Sequence, residues 1–138
     1  MKFNNTIKVY GNTDFRGKCP LESNEQITFI NWIRRTHPEI GKVATHIRNE
    51  GKRSYGQAAR QKAEGMVKGA SDILIPASPA FVCEMKRADH TKSVWQDGQQ
   101  EYLTQAQELG AFACVALGHA GAIEGFNKWL SMITTRNG

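Results

Sequence analysis

The chain has 138 residues, which is the size of one domain with a single hydrophobic core. Its longest apolar runs are far shorter than the roughly 20 residues that cross a bilayer, and its first residues lack the apolar core of a signal peptide, so we expect a cytoplasmic protein. Its three cysteines show no CxxC motif and no nearby histidine pair, which argues against a disulfide framework and against a zinc site.

The net charge of +5 is concentrated in one segment. Between residues 42 and 68, seven basic residues outnumber two acidic ones, whereas the two signs balance in the rest of the chain. Such a segment attracts polyanions, so nucleic acid is a candidate partner, and a plain solvated basic surface is the alternative. The basic residues that we expect to bind DNA are Arg48, Lys52, Arg53, Arg60, Lys62 and Lys68.

In chain order, the sequence first predicts an N-terminal extension over residues 1–20, with one edge strand at TIKVY, ahead of a domain over residues 21–138. An amphipathic helix follows and stops before Pro38, with Ser23 or Asn24 as its N-cap. The next segments are a β-type run, KVATHIRN, and a stretch rich in helix formers, YGQAARQKAEG.

The second half predicts alternating strands and helices. We expect a hairpin of two strands, DILIPA and FVCEMKR, joined through SPA. After it come a helix over SVWQDGQQEYLTQAQELG, a buried strand AFACVALG and a closing helix GAIEGFNKWLSMI. This order predicts a single α/β domain with a mixed β-sheet flanked by helices.

Charged residues lie inside the predicted hairpin. Asp72 opens the first strand, and strand pairing would bring it level with Glu84 on the second. Glu84 and Lys86 would share one sheet face with Val82. Two carboxylates at that distance repel unless a cation lies between them, and oxygen ligands suit Mg²⁺. Lys86 would hold a water beside the ion or neutralise the phosphate in the transition state.

The first predicted helix adds a third carboxylate. On a helical wheel, Glu22 and Gln26 lie on the apolar face with Phe29, aimed at the sheet, whereas Glu25 lies at the flank. Glu22 is therefore a candidate metal ligand, with Glu25 as the alternate. The competing interpretation is that Glu22 only enriches the first turn, where the helix dipole favours acids.

The histidines and the buried cysteines add no second site. His46, His90 and His119 have no partner at ligand spacing, and we interpret them as surface or satisfied polar residues rather than as catalytic groups. Cys83 and Cys114 lie in apolar strands and are expected to be small core residues. The predicted chemistry therefore rests on the carboxylates and the lysine.

Four ordered motifs make the sequence similar to one known family. The motifs ESNEQ…NWIRRTHPE, IRNEGKRSYGQAARQKAEGMVKGASDILIP, CEMKR and GQQEYLTQAQELGAFACV together resemble the virus-type replication-repair nuclease (VRR-NUC) domain, a branch of the PD-(D/E)XK nucleases, over about residues 22–118. The chain departs from the family at GASD, where many relatives have GxPD, and at IRNEGKR, where PNGGxR is more usual. Neither departure removes a candidate ligand.

The resemblance implies a restriction-endonuclease-like fold and a metal-dependent nuclease. Its D…ExK core would be Asp72, Glu84 and Lys86, and the family's helix glutamate falls on Glu22. The main-chain carbonyl of Met85 is expected as an extra ligand. One or two Mg²⁺ ions would be bound, and we expect Mn²⁺ to substitute.

The family's later helix carries a glutamine, which falls on Gln99 in this chain. Gln99 would face the metal site and contact a water or a phosphate. Gln96 and Gln100 are neighbours that stay open as alternatives. The resemblance therefore adds one candidate catalytic residue to those that the hairpin and the first helix supply.

The function that the resemblance implies is hydrolysis of phosphodiester bonds in DNA by an endonuclease. Small stand-alone members of the family are often viral and act as dimers on branched DNA such as four-way (Holliday) junctions, so we expect a homodimer, in the host cytoplasm if it is viral. Two alternatives stay open: a catalytically inactive nucleic-acid-binding module with a nuclease fold, and a restriction or end-processing nuclease.

Overall fold

The computed structural model describes residues 1–48 and 54–137, which form a five-stranded mixed sheet flanked by helices, the predicted α/β architecture. The strands are β1 (Lys8–Tyr10), β2 (Thr45–His46), β3 (Ile73–Ile75), β4 (Phe81–Lys86) and β5 (Phe112–Leu117). The helices are α1 (Glu22–Thr36), α2 (Pro38–Gly41), α3 (Tyr55–Ala63), α4 (Gln99–Glu108) and α5 (Gly118–Asn137). None of these helices, over the described ranges, is long and apolar enough to cross a membrane.

The strands lie in the order β1-β5-β4-β3-β2. β5 runs parallel to both of its neighbours, β1 and β4, whereas β2, β3 and β4 alternate in direction. The predicted hairpin is confirmed, because β3 and β4 pair antiparallel with Ile73 opposite Cys83. Parallel pairing of β4 with β5 needs a crossover connection, and α4 lies in it.

One face of the sheet packs against α1 and α5. Phe81 and Met85 of β4 meet Phe29 of α1 and Phe126 of α5 in a continuous buried core. The rings of Phe29 and Phe126 pack edge to face with centroids 6.2 Å apart. This core fixes α1 against the sheet and so determines where the first turn of α1 lies.

The opposite face of the sheet packs against α4. Val82 of β4 and Val115 of β5 meet Leu103 of α4 in a second, smaller core. Because side chains alternate along a strand, Glu84 and Lys86 project from β4 on the same face as Val82. The predicted charged pair is therefore on the α4 face of the sheet.

The first twenty residues, expected as an extension with one edge strand, supply β1 at the edge of the sheet. Ile7 packs into the core on the α4 face. The indole Nε1 of Trp95 donates to the carbonyl of Lys2 at 2.8 Å, and Gln107 Nε2 donates to the carbonyl of Thr6 at 2.7 Å. These contacts join the segment to the same sheet as the rest of the described chain.

Three element boundaries differ from the sequence prediction. α1 begins after Leu21 without a side-chain cap, so the predicted cap at Ser23 or Asn24 is wrong. Of KVATHIRN, the described part up to Arg48 forms only the two-residue strand β2. The helix predicted from Ser93 starts at α4, because the preceding residues form a 3₁₀ turn and a loop that ends at Gly98, whose left-handed φ of 86° breaks a helix.

Candidate active site

The two charged residues of β4 are buried side by side. All six residues of β4 are buried, and the side chains of Glu84 and Lys86 are each only 1% exposed. Lys86 Nζ lies 3.9 Å from Glu84 Oε1. A buried ion pair is costly unless further hydrogen bonds satisfy both partners, so the groups around this pair decide its properties.

Gln99, the first residue of α4, connects the members of this pair. Its Nε2 donates to Glu84 Oε1 at 3.0 Å, and its Oε1 accepts from Lys86 Nζ at 2.9 Å and from the main-chain N–H of Gln96 at 2.9 Å. Of the three candidate glutamines, Gln99 is the one that reaches both charges. Gln100 instead lines a different cavity, with Phe3 and Leu103 among its walls.

The loop before α4 supplies two further contacts to Lys86. Its Nζ donates to the carbonyl oxygen of Val94 at 2.8 Å and lies 5.3 Å from the ring centroid of Trp95, a cation–π contact. With Gln99, these contacts use two of the three ammonium N–H groups for hydrogen bonds. Among the described residues the third N–H has no hydrogen-bond acceptor, which leaves it for a water or a phosphate oxygen.

Asp72 lies next to Glu84, as the predicted hairpin register required. β3 pairs Ile73 with Cys83, so Asp72, one residue earlier, falls level with Glu84. Asp72 Oδ2 accepts the main-chain N–H of Met85 at 2.8 Å, which fixes this carboxylate. The two acids are therefore brought together by the backbone pairing itself.

The environment of Glu84 disfavours its negative charge. Burial raises the pKa of Glu84 well above its ordinary value, and the negative charge of Asp72 raises this pKa further, whereas Lys86 offsets part of the effect. Its second oxygen, Oε2, is buried without a hydrogen-bond partner among the described residues. A cation beside Oε2 would satisfy this oxygen and relieve the repulsion between the two acids.

Glu22 faces the same cleft from the first turn of α1. Its Oε2 accepts a hydrogen bond from the hydroxyl of Ser93 at 2.7 Å, and its charge is a further, smaller reason for the raised pKa of Glu84. Within residues 1–48 and 54–137, however, no three His, Cys, Asp or Glu side chains form a ready-made metal-binding group. Asp72 and Glu84 are the carboxylate pair that fits a Mg²⁺ ion, which keeps several water ligands.

Glu25, the alternate candidate, lies elsewhere. The helical wheel placed it at the flank, but it is only 4% exposed and belongs to the buried face of α1. It accepts from the main-chain N–H of His119 at 2.9 Å and from His119 Nδ1 at 3.0 Å, at the start of α5. The N-terminus of a helix attracts a carboxylate, so the start of α5 stabilises the buried Glu25. A helical wheel of α1 alone does not include this contact with another helix.

The site opens into a cleft of about 690 Å³. His46 stands at its mouth, where its Nδ1 lies 3.0 Å from the main-chain oxygen of Asp72. His90, in contrast, is buried and bonded to the carbonyl of Thr13, as expected of a satisfied polar residue. The residues that line the cleft are Glu22, His46, Arg48, Lys68, Gly69, Asp72, Glu84, Lys86, Val94, Trp95, Gln96, Asp97 and Gln99.

The predicted DNA-binding residues divide into three groups. Arg48 and Lys68 line the cleft, and Lys62 lines a neighbouring groove of about 540 Å³ that Lys68 also borders. Arg60 is paired with Glu64 at 3.0 Å on the exposed surface of α3. The other two, Lys52 and Arg53, lie outside the described residues.

Sequence reasoning missed the residues that hold the charged groups in place. Val94 acts through its main-chain carbonyl, and Trp95 and Ser93 lie where the sequence predicted a helix. Arg87 directly follows Lys86, and this adjacency to the ExK motif was the one signal that pointed to it. Such contacts depend on the path of a loop, which a periodic pattern does not reveal.

Comparison with solved structures finds a similar fold. One solved structure, described as "VRR_NUC domain protein", superposes with a TM-score of 0.69 and 20% sequence identity, covering 85% of this chain and 92% of that chain. No family model matches the sequence. No curated protein matches it either. The structural likeness establishes a VRR-NUC-like fold for this chain.

Proposed function

We propose that the protein is a Mg²⁺-dependent, structure-selective DNA endonuclease. The observation that carries the proposal is the buried carboxylate of Glu84, which is level with Asp72 and has Oε1 3.9 Å from Lys86 Nζ. Its other oxygen, Oε2, has no hydrogen-bond partner among the described residues. A carboxylate whose pKa is raised, as that of Glu84 is, beside a second acid in an open cleft is typical of a functional site. The VRR-NUC-like fold supports the same conclusion.

The residues present fit a divalent cation. Asp72 and Glu84 would hold it, with Glu22 and the main-chain carbonyl of Met85 as further ligands, and Mn²⁺ is expected to replace Mg²⁺. When bound, the ion would polarise the phosphate and lower the pKa of a bound water. Removal of Asp72 or Glu84 should therefore abolish both ion binding and cleavage.

The chain's own polar groups would orient the reactants. The remaining N–H of Lys86 would hold the attacking water or a non-bridging phosphate oxygen, because Val94 and Gln99 restrict the ammonium from the other sides. Gln99 keeps Glu84 Oε1 occupied, which leaves Oε2 as the oxygen open to an ion. In this arrangement the carboxylates would hold the metal and the ammonium of Lys86 would position the water.

The DNA backbone would enter along the basic rim of the cleft. Arg48 and Lys68 lie at that rim, with Lys62 beyond it. Lysine and arginine contacts to phosphate give affinity without reading sequence, so selectivity would come from the shape of the DNA. We propose branched DNA such as a four-way junction as the substrate, cut by a homodimer, because two symmetry-related sites suit two equivalent strands.

The test is incubation of the pure protein with labelled four-way junction and with linear duplex of the same sequence, in Mg²⁺ and in EDTA. We expect cuts in the junction in Mg²⁺ and none in EDTA. The Glu84→Gln variant provides the matched control, since it keeps the size of the side chain but loses the charge. Binding without cleavage in either Mg²⁺ or Mn²⁺ would identify a binding module, and equal cutting of linear duplex would identify an end-processing or restriction nuclease.

A further inference from the structure

We propose that Arg87 and Ser93, the two residues that bracket the turn after β4, are positioning residues that hold Glu22 toward the metal site. The inference rests on the proposed function, since it assigns these residues a role in that site. The hydrogen bonds of Arg87 and Ser93 among the described residues go to other groups than the acid pair Asp72 and Glu84. They act on the third carboxylate, which comes from a different part of the chain.

Arg87 holds the chain immediately ahead of Glu22. Its guanidinium donates to the carbonyl oxygen of Cys19 at 2.6 Å and to that of Pro20 at 3.1 Å. These residues precede Leu21, where α1 begins without a side-chain cap. The entry of the chain into α1 is therefore fixed by a side chain from the end of β4 rather than by a local cap.

Ser93 holds the carboxylate itself. Its hydroxyl accepts the main-chain N–H of Arg87 at 3.0 Å and donates to Glu22 Oε2 at 2.7 Å. Because the Arg87 amide only donates, the single hydroxyl proton of Ser93 is left for Glu22. Ser93 is 6% exposed, so water competes little for this bond.

Together these bonds connect Glu22 to the strand that carries the other catalytic groups. Arg87 directly follows Lys86. Its amide bonds Ser93, which bonds Glu22, and its guanidinium bonds two carbonyls of the segment that precedes α1. A glutamate at a helix start has three rotatable bonds, and fixing them has an entropic cost. Groups that orient metal ligands in this way typically alter metal affinity or activity by 10- to 100-fold.

The experiment is a Mn²⁺ titration of the full chain without DNA, followed by electron paramagnetic resonance of the free ion. The test variants are Ser93→Ala, which removes the hydroxyl, and Arg87→Gln, which removes the guanidinium. Arg16→Gln is the control for Arg87→Gln, because Arg16 also donates to main-chain carbonyls, those of Thr13 and Phe15. Thr28→Val on α1 is the control for Ser93→Ala, because it removes a hydroxyl that donates to the carbonyl of Asn24 and not to Glu22. Ser93→Thr, which keeps a hydroxyl, is the conservative variant.

We expect about tenfold weaker Mn²⁺ binding in Ser93→Ala and in Arg87→Gln, wild-type binding in both controls, and recovery of most of the affinity in Ser93→Thr. In a Glu22→Gln background, Ser93→Ala should cause no further loss of Mn²⁺ affinity, because the carboxylate that Ser93 holds is already absent. Circular dichroism checks that each variant is folded.

Two results would overturn the positioning role while leaving the nuclease proposal intact. One is wild-type Mn²⁺ affinity in both Ser93→Ala and Arg87→Gln. The other is an equal additional loss from Ser93→Ala with and without Glu22. If the wild-type protein bound no Mn²⁺ and cut no DNA, the proposed function itself would fail, and the positioning role with it.

Discussion

Glu84 is the residue on which the proposed chemistry depends. A carboxylate that is 1% exposed, beside a second acid, is kept in an environment that favours its protonated form. Lys86 and Gln99 both lie against Oε1 of Glu84, and Oε2 has no hydrogen-bond partner among the described residues. Such an arrangement disfavours the charged form of Glu84 in the metal-free protein, and the proposed cation would relieve that cost.

Stability should therefore depend on pH through Glu84. Its pKa in the folded protein lies above the ordinary value of 4.5, so the folded state binds more protons than the unfolded state above about pH 4.5. In EDTA, the free energy of unfolding should fall as the pH rises from there through the raised pKa of Glu84. Urea unfolding from about pH 5 to about pH 8 measures this, and Glu84→Gln should show a smaller fall.

Addition of Mg²⁺ should reverse that loss in the wild type by binding the folded state, and should leave Glu84→Gln unchanged. Identical pH slopes for the two proteins in EDTA would show that the charge of Glu84 carries no such penalty. In that case the repulsion between the acids would not be a reason for a cation to bind.

Lys86→Met should abolish cleavage while DNA binding survives. Methionine keeps much of the length and apolar character of the side chain but removes the ammonium that would hold the water or phosphate. We expect kcat to fall at least about 100-fold and the Kd for DNA to stay within about twofold. Lys128→Met, at an exposed position of α5, is the control. Cleavage at the wild-type rate would rule out the role given to Lys86.

At the residue scale, the sequence predicted the strand residues well and the helix residues less well. Alternation along β4 was enough to place Glu84 and Lys86 on one face, because a two-residue period depends only on the backbone. The helical wheel placed Glu22 toward the sheet but missed the burial of Glu25. That burial depends on His119, which lies 94 residues away in the chain.

At the scale of elements, the start of α4 is positioned by a close backbone crossing. Gly69, with φ of 85°, packs directly against the main chain of Gly98 and Gln99. A Cβ on Gly98 would likewise lie 2.7 Å from the carbonyl oxygen of Lys68. Two glycines are needed for the loop before β3 to pass this close to α4, and the contact places Gln99 against the charged pair.

Gly69→Ala should therefore be more damaging than Gly65→Ala. Both glycines have a positive φ, but no atom of the described residues lies within 4 Å of a Cβ at Gly65, whereas a Cβ at Gly69 meets the backbone at the start of α4. We expect about 1 kcal/mol of destabilisation for Gly65→Ala and clearly more for Gly69→Ala. Urea unfolding measures both.

Comparing cleavage by Gly69→Ala and Gly65→Ala separates the effect of backbone strain from the effect of moving Gln99. Cleavage should drop in Gly69→Ala beyond what its loss of folded protein explains, because Gln99 moves, and Gly65→Ala should cleave normally once folded. Equal effects of the two substitutions on stability and on cleavage would mean that the crossing does not position α4.

Among the elements, the hairpin and the long helices could be predicted and the irregular segments could not. β3, β4, β5, α1 and α5 follow from apolar periodicity and length. The composition of the loop between the 3₁₀ turn and α4 predicts a helix, but the left-handed Gly98 and the bond from Lys86 to the carbonyl of Val94 favour a non-helical path. Local chemistry at one glycine and one buried charge outweighed helix propensity there.

At the scale of the whole molecule, the basic residues lie where a backbone would enter the cleft. Lys68 borders both the cleft and the neighbouring groove, and its pairing with Asp97 at 3.4 Å is exposed and therefore weak. The sequence located this excess charge within residues 42–68 but did not show which side of the domain the basic residues face. The fold shows that β2 and the loop before β3 bring Arg48 and Lys68 to the cleft that holds the acid pair.

Lys62→Ala with Lys68→Ala should flatten the salt dependence of DNA binding. Each lost phosphate contact reduces the slope of log K against log salt by about 0.9, so the pair should reduce it by about 2. Lys8→Ala with Lys128→Ala removes the same charge from positions outside the cleft and should leave the slope nearly unchanged. Fluorescence anisotropy over a salt series measures both.

An equal change of slope in the two double variants would show that net charge, rather than the position of Lys62 and Lys68, governs binding. Lys52 and Arg53 were predicted to act in the same way, and their neutralisation by the same assay extends the test to that part of the basic segment.

The most direct measurement of the central claim is anomalous diffraction from crystals grown with Mn²⁺. The account predicts a peak between the carboxylates of Asp72 and Glu84, with Glu84 Oε2 among its ligands. A fully occupied Mn²⁺ elsewhere, with these two side chains unchanged and no peak between them, would contradict it.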